Sequence, residues 1–133
     1  MKRYDLKVSD LMSTALVTIK ASESVTEAHS EMEIGLIRHL PVVDDKGKLV
    51  GMVSDRDLLA ASKRNRRVAE LMSRDLITIR PEAPASEAAS LMLDHRIGSV
   101  PVVDGHGTLI GLVTQTDYLD LARRALLGLQ LER

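Results

Sequence analysis

Two short polar motifs stand 60 positions apart in this chain, Ser54-x-x-Asp57 and Thr114-x-x-Asp117. Ser or Thr followed three residues later by an acid is typical of a helix start, where free N–H groups and the helix dipole favour phosphate. The hydroxyl can donate a hydrogen bond to a phosphate oxygen, and an ionised Asp has only acceptor oxygens, which suit the neighbouring hydroxyls of a ribose. The same motif caps a helix without any ligand, so the pattern alone leaves both interpretations open.

The motifs recur because the chain repeats itself. Residues 8–59 align with residues 68–119 without a gap. An internal repeat of this kind predicts pseudo-symmetry, so any site built at the seam between the halves is built twice. Each half alone would bury too little surface to be stable, and we therefore expect the halves to share one core.

Each repeat is predicted to fold as β-α-β-β-α. The chain is thus expected to have an α/β (α+β) fold, with two repeats related by a pseudo-two-fold axis in one compact module. The first-repeat elements are strands over 16–19, 40–43 and 49–53, a helix from Ser24 to Gly35 or beyond, and a second helix opening at Ser54. Pro41 cannot donate a ladder hydrogen bond, so it is expected at the start or edge of its strand.

The repeat also fixes the domain boundaries that we expect. These are 8–61 for repeat 1, 62–67 for a basic linker or helix end, 68–121 for repeat 2, and 122–133 for a C-terminal helical extension. The stretch 120–131 carries an apolar stripe that needs a partner, formed by Leu121, Ala122, Ala125, Leu126 and Leu129.

Composition excludes several classes of function. The chain has no Cys, so it has neither disulfides nor thiolate chemistry. Its net charge of -1 gives no electrostatic case for nucleic acid, and the absence of Phe and Trp leaves little to stack bases on. No apolar run is as long as a membrane span, and the charged N-terminus leads into no apolar signal core, so a cytoplasmic protein is expected.

These motifs together resemble the CBS domain (named for cystathionine β-synthase), present as a tandem pair, or Bateman module. The residues that carry the resemblance occur in both halves: Leu11-Met12-Ser13, Thr18-Ile19, Pro41-Val42-Val43-Asp44, Gly51-x-Val53 and Ser54-x-x-Asp57, with their counterparts 60 positions later. The resemblance implies a regulatory module that requires no cofactor. It implies binding of AMP, ADP, ATP or S-adenosylmethionine in two clefts, and association as flat homodimers.

The resemblance also implies which residues line each cleft. One cleft would combine Thr114 and Asp117 with Thr18, Ile19, Arg38, His39 and Leu40. The other would combine Ser54, Arg56 and Asp57 with Thr78, Ile79, Gly98, Ser99 and Val100.

The two clefts are not equivalent in this chain. Arg38-His39 match the residues with which relatives reach phosphate, and Gly98-Ser99 do not. Since Arg offers a fixed fork suited to phosphate, we expect the Asp117 cleft to hold the tighter or more phosphorylated ligand. Arg56 would partly compensate in the other cleft.

Simpler interpretations stand beside several of these residues. Arg38 and His39 are equally consistent with solvated loop residues, and Thr18 and Thr78 suit strands by propensity alone. Asp44 and Asp104 are predicted to be turn residues. His29 borders an apolar helical stripe, where packing is expected rather than ligation. No metal site is assigned, because the sequence offers no second ligand at metal-ligand spacing from His95 or His106.

The sequence gives less support to functions other than ligand binding. No nucleophile elbow, Walker loop or HExxH motif is present, so no enzyme activity is expected. The basic run 63–67 makes nucleic-acid binding an alternative function, but such a run is usually a solvated helix end. A ligand-free scaffold that uses the repeat only for dimerisation remains open. If ligand is sensed, the output is expected to pass to an effector protein that is another polypeptide.

Overall fold

A computed structural model describes residues 5–59 and 66–128 and gives a mixed α/β fold with two repeats, as predicted. The elements in chain order are α1 (Val8–Leu11), β1 (Ile19–Lys20), α2 (Val25–Gly35), β2 (His39–Val43), β3 (Leu49–Ser54), α3 (Asp55–Leu59), α4 (Val68–Leu71), α5 (Ala85–His95), β4 (Ser99–Val103), β5 (Leu109–Thr114) and α6 (Gln115–Leu126). None of the helices within these described stretches is long and apolar enough to cross a membrane.

The chain packs as two units that do not coincide with the two repeats. One, called here the repeat-1 unit, comprises Val17–Leu76 and His106–Leu109. The other, the repeat-2 unit, comprises Ile77–Gly105, the chain from Ile110 onward and the segment up to Leu16. The segment before the first strand of each repeat thus packs with the other repeat.

The sheet of the repeat-1 unit has the strand order β1-β2-β3. β1 pairs with β2 in parallel, and β2 pairs with β3 in the antiparallel hairpin that the sequence predicts. β1 is shorter than predicted, since pairing starts only at Ile19 opposite Val42. Pro41 stands in the middle of β2, rather than at a strand start or edge, and immediately precedes that first paired residue. Because Pro has no N–H to donate, the parallel ladder does not extend toward residue 16.

Local sequence explains where the two long helices begin and end. The Ser24 hydroxyl accepts the N–H of Glu27 at 3.0 Å, as the predicted capping motif requires, and Pro84 occupies the equivalent position before α5. Each helix ends at a left-handed residue, Leu36 after α2 and Arg96 after α5. Glycine is the usual residue at such a position, so both sites carry a steric cost.

The buried side chains form two clusters instead of one shared core. The cluster of the repeat-1 unit includes Val68 and Met72 from the second repeat, and that of the repeat-2 unit includes Val8 from the first. Val8 and Val68 are fully buried. Each core is therefore completed by a short segment of the other repeat, which is why neither repeat alone would bury its apolar face.

Backbone hydrogen bonds hold these exchanged segments. In the repeat-2 unit, the Val8 N–H donates to the Ala83 carbonyl at 2.9 Å, and the Ala85 N–H donates to Leu6 at 2.8 Å. In the repeat-1 unit, the Val68 N–H donates to the Glu23 carbonyl at 2.8 Å. Residues 7–8 and 67–68 thus make equivalent contacts, so the same segment is exchanged in both repeats.

Candidate functional site

The Ser54-x-x-Asp57 motif folds as a reciprocal cap at the start of α3. The Ser54 N–H donates to Asp57 Oδ2 at 2.8 Å, and the Asp57 N–H donates to Ser54 Oγ at 3.1 Å. Both residues are half-buried. The hydroxyl accepts this bond, so its own proton is available to another acceptor, and Asp57 Oδ1 has no hydrogen-bond partner among the described residues.

Thr114-x-x-Asp117 forms a related cap at the start of α6, with one difference. The Thr114 N–H donates to Asp117 Oδ2 at 2.8 Å, and the Thr114 hydroxyl donates to the same oxygen at 3.3 Å. Asp117 Oδ1 has no hydrogen-bond partner within the described part of the chain. Each unit therefore presents one half-buried carboxylate, held by its own helix cap, with an acceptor oxygen to spare.

Arg38 and His39 lie beside the Ser54 motif within the repeat-1 unit. His39 pairs with Ser54 across β2 and β3, and the Arg38 carbonyl accepts the Asp55 N–H at 2.9 Å. The Arg38 side chain is exposed, whereas His39 is half-buried. Burial lowers the pKa of His39 below its ordinary value, against the opposing influence of the Asp55 and Asp57 carboxylates. The Arg38 charge adds to the lowering of that pKa, so His39 is neutral at neutral pH.

The repeat-2 unit repeats the backbone arrangement but not the charges. The Gly98 carbonyl accepts the Gln115 N–H at 3.0 Å, as Arg38 does for Asp55. Ser99, which aligns with His39, is 7% exposed and is the one buried polar side chain among the described residues. Arg38 and His39 of the first repeat thus have no basic counterparts here, which agrees with the sequence comparison.

The side chains of the aliphatic site residues lie in the two buried clusters. Ile19 and Leu40 belong to the buried cluster of the repeat-1 unit, and Ile79 and Val100 to that of the repeat-2 unit. Their side chains are nearly or fully inaccessible, so any contact of these four residues with a ligand is made mainly by their backbone groups. Thr18, Thr78 and Arg56 are exposed, and their side chains are accessible to a ligand.

All the predicted site residues of the first repeat lie in the repeat-1 unit, and all those of the second repeat lie in the repeat-2 unit. Within the first set, the structure brings His39 and the Arg38 backbone to the Ser54 motif. The grouping of each aspartate with strand residues of the other repeat stays a prediction.

A concavity of about 280 Å³ adjoins Thr18 and was not predicted. Its remaining lining residues are Ile19, Lys20, Glu23, Glu27 and Glu31. Glu27 and Glu31 lie four residues apart on one face of α2, and Glu23 immediately precedes the cap residue Ser24. At the equivalent positions the second repeat has Ala83, Glu87 and Leu91, so this acidic concavity is a feature of the first repeat.

Several other sequence predictions are settled by the structure. Asp44 is a turn residue as predicted: its Oδ1 accepts the N–H groups of Lys46 and Lys48, both at 2.9 Å. The prediction that His29 packs against the apolar stripe is wrong. Its side chain is exposed, and its Nδ1 lies 3.4 Å from a carboxylate oxygen of Glu33, one helical turn later. Among the described residues, no group of three or more acidic, His or Cys side chains is arranged to hold a metal ion.

Residues 63–65 of the basic run lie outside the described residues, and only Arg66 and Arg67 of the run are described. The Arg66 guanidinium pairs with Glu70 at 3.6 Å, and Arg67 donates to the Ser22 carbonyl at 3.2 Å. Both cations are thus engaged in the fold of the repeat-1 unit.

Comparison with known families agrees with this geometry. The model of the CBS domain matches the chain twice, over residues 8–64 and 68–124. A CBS domain-containing protein of Dictyostelium discoideum is 36% identical over 134 residues, which cover 90% of this chain and 92% of the relative. The inosine-5'-monophosphate dehydrogenase of Methanocaldococcus jannaschii is 33% identical over 113 residues, 85% of this chain but only 23% of that enzyme.

Three solved structures have the same fold. The CBS domain pair of protein MJ0100, in complex with 5-methylthioadenosine and S-adenosyl-L-methionine, has a TM-score of 0.84 at 33% identity, covering 90% of this chain and 98% of that one. CBSX2 in complex with AMP has a TM-score of 0.84 at 32% identity, covering 93% and 99%. The cytosolic domain of the Mg²⁺ channel MgtE in complex with ATP has a TM-score of 0.79 at 34% identity, covering 86% and 48%.

Proposed function

Because this chain belongs to the CBS domain family and carries two such domains in tandem, we propose that it is a regulatory module that binds an adenine nucleotide of the AMP, ADP or ATP class. The observation that carries the proposal is the recurrence, in both units, of a half-buried Asp whose carboxylate is oriented by a Ser or Thr three residues earlier. A cap alone needs one carboxylate oxygen, and each aspartate keeps the other for a ligand hydroxyl.

The chemistry of a nucleotide matches the groups around these aspartates. The oxygens of Asp57 and Asp117 accept from ribose hydroxyls. Arg38 supplies an exposed guanidinium for phosphate, and the positive end of the α6 dipole favours an anion. Three solved relatives are complexes with AMP, with ATP, and with S-adenosyl-L-methionine plus 5-methylthioadenosine, so the adenosine moiety is common to all.

The remaining site residues complete the proposal. They are Thr18, Ile19, His39, Leu40, Ser54, Arg56, Thr78, Ile79, Ser99, Val100 and Thr114. The strand residues serve the adenine mainly through backbone groups, and the site that contains Arg38 and His39 binds the phosphorylated ligand more tightly. Binding favours the arrangement of the chain that contacts the ligand better, and this shift in population acts on an effector protein.

A thermal-shift panel of AMP, ADP, ATP and S-adenosylmethionine tests the proposal. A ligand that binds only the native state raises the melting temperature by mass action. We expect a shift with at least one nucleotide, reduced in Asp57→Ala or Asp117→Ala and retained in Asp94→Ala, which removes an exposed carboxylate of α5. Absence of any shift with the wild-type protein would favour the ligand-free scaffold instead.

S-adenosylmethionine is the second candidate, and the acidic concavity favours it. This ligand carries a sulfonium and an ammonium group, and Glu23, Glu27 and Glu31 line the concavity next to Thr18. Carboxylates attract these cations and repel a polyphosphate. If S-adenosylmethionine is the ligand, Glu27→Gln with Glu31→Gln weakens its binding and leaves AMP binding unchanged or stronger.

We also propose that the module forms a homodimer through its helices. Seven large apolar side chains on helices or helix ends are more than two-thirds exposed: Ile34, Leu36, Leu59, Leu93, Leu119, Leu126 and Leu127. Leu59 and Leu119 occupy equivalent positions in the two repeats, so each unit presents an apolar helical face. A self-complementary apolar face fits the symmetric contact of a dimer.

Light scattering tests this dimer. Leu59→Glu combined with Leu119→Glu places charges on both faces and should yield monomers, whereas Thr116→Glu, at an exposed polar position of α6, should leave the dimer intact. Truncation after Tyr118 removes the rest of α6 and its apolar stripe. An unchanged oligomeric mass after truncation would assign the contact to the remaining helices.

A further inference from the structure

His39 is a half-buried histidine placed at the proposed phosphate end of the site. It is the first residue of β2, directly opposite Ser54, and Asp57 of the same motif follows in α3. The charged groups that act on it are Asp55 and Asp57 of α3 and Arg38 of the preceding loop. The equivalent position of the second repeat holds Ser99, which does not titrate near neutral pH, so this arrangement exists in one repeat only.

The free protein holds His39 as a neutral imidazole at neutral pH. Burial disfavours the charged form, and it outweighs the two carboxylates that would stabilise a proton on the ring. A phosphate dianion bound beside Arg38 would add negative charge next to a ring that is already close to two carboxylates. The protonated ring would then gain both an opposite charge and an acceptor for its N–H.

We infer that binding of a phosphorylated adenosine ligand is coupled to uptake of a proton by His39, so that this module responds jointly to nucleotide and pH. The inference rests on the proposed nucleotide binding and concerns its regulation. The pKa of His39 is higher in the complex than in the free protein. The affinity for the phosphorylated ligand therefore increases as the pH falls from the first of these pKa values to the second. Adenosine carries no phosphate and lacks this coupling.

Calorimetry with AMP and adenosine measures the coupling directly. At pH 7, titrations in HEPES and in Tris, which differ in ionisation enthalpy, give the number of protons taken up on binding. We expect net uptake with AMP and none with adenosine. Between pH 8 and pH 6.5 the AMP affinity should rise by up to about tenfold for each unit by which the ligand raises the His39 pKa.

Two histidine variants identify the group that takes up the proton. His39→Gln should abolish the uptake, while His29→Gln, which removes an exposed histidine paired with Glu33, should retain it. If His39→Gln does not fold, the imidazole resonances of the wild-type protein answer the question, since one histidine should titrate at higher pH when AMP is present.

The outcomes separate this inference from the proposed function. Equal proton uptake in the wild type and in His39→Gln would overturn the inference. So would AMP binding without proton uptake and without a change in the titration of any imidazole. In both cases nucleotide binding itself would stand. Failure of both AMP and adenosine to bind overturns the two together.

Discussion

Replacing Gly111 by alanine would create a steric clash with Met12, a residue 99 positions earlier in the chain. A Cβ atom built on Gly111 would lie 2.5 Å from Met12 Sδ, 3.0 Å from its Cγ and 3.2 Å from its Cβ. A rotamer change moves the sulfur but not the Met12 Cβ, so the backbone must also shift. Overpacking of this kind costs about 1–3 kcal/mol, and we expect Gly111→Ala to lower the free energy of unfolding by about 2 kcal/mol.

A double-mutant cycle assigns this cost to the contact. Met12→Ala removes the two nearest atoms, Sδ and Cγ, but keeps Cβ, so Gly111→Ala should cost less in that background, with a coupling energy of about 1 kcal/mol. The matched pair in the repeat-1 unit is Gly51, whose added Cβ would lie 2.6 Å from Met72 Sδ and 3.1 Å from the Ser73 carbonyl oxygen. Met72→Ala removes Sδ and leaves that carbonyl in place, so it too should rescue Gly51→Ala only in part.

The crossed combinations are the control for this prediction. Gly111→Ala with Met72→Ala, and Gly51→Ala with Met12→Ala, should be additive within about 0.5 kcal/mol, because they share no contact. Urea unfolding of the single and double variants gives all the free energies needed. If Gly111→Ala couples to Met72→Ala instead of Met12→Ala, the assignment of the exchanged segments to their units is wrong.

Further predictions concern the hydrogen bonds and caps of the two units. Tyr118→Phe removes the 2.6 Å bond that the phenol donates to the Ala85 carbonyl and should cost about 1 kcal/mol in urea unfolding. Burial raises the pKa of Tyr118 to about 12, so its stabilising contribution is complete below pH 10 and is lost as pH rises toward 12, a loss that Tyr118→Phe should not show. Leu36→Gly should raise the melting temperature, since Leu36 is 92% exposed at a φ of 54° and glycine removes about 1 kcal/mol of steric cost; an unchanged or lower melting temperature would contradict this. Ser24→Ala removes the cap bond to the Glu27 N–H and should destabilise by about 1 kcal/mol, and an unaltered urea midpoint would contradict that role.

Local chemistry explains why the helices and hairpins could be predicted from the sequence. The cap at Ser24, the turn at Asp44 and the Ser54-x-x-Asp57 motif each depend on residues within four positions of one another. β1 was predicted too long because its extent depends on a distant residue, Pro41, which cannot donate to it. The sequence pattern of a strand carries no information about its partner.

The exchange between the repeats is the part of the fold that periodicity could not reveal. Val8 and Val68 occupy equivalent positions, and a repeat pattern is the same whether each packs with its own repeat or with the other. The packing of Met12 at Gly111 and of Met72 at Gly51 distinguishes the two, and it depends on contacts that span many residues. The prediction of one shared core failed for this reason.

The candidate site divides in the same way. The cap geometry of both aspartates follows from three-residue spacing and was predicted, whereas the neutral state of His39 depends on burial and on charges from α3. The acidic concavity was not predicted, because it depends on how Glu23, Glu27 and Glu31 lie relative to Thr18 and Ile19, which residue spacing alone does not give.

The central claim is that the aspartates of the two motifs bind a ribose diol, and calorimetry with AMP and 2′-deoxy-AMP tests it most directly. The wild-type protein should bind AMP at least about tenfold more tightly, because a hydrogen bond to a charged group is worth about 1.5–3 kcal/mol. In Asp117→Asn, the side-chain oxygen can still accept from Thr114 while the second acceptor is lost, so this preference should fall at that site. Equal affinity of the wild-type protein for AMP and 2′-deoxy-AMP would contradict the account.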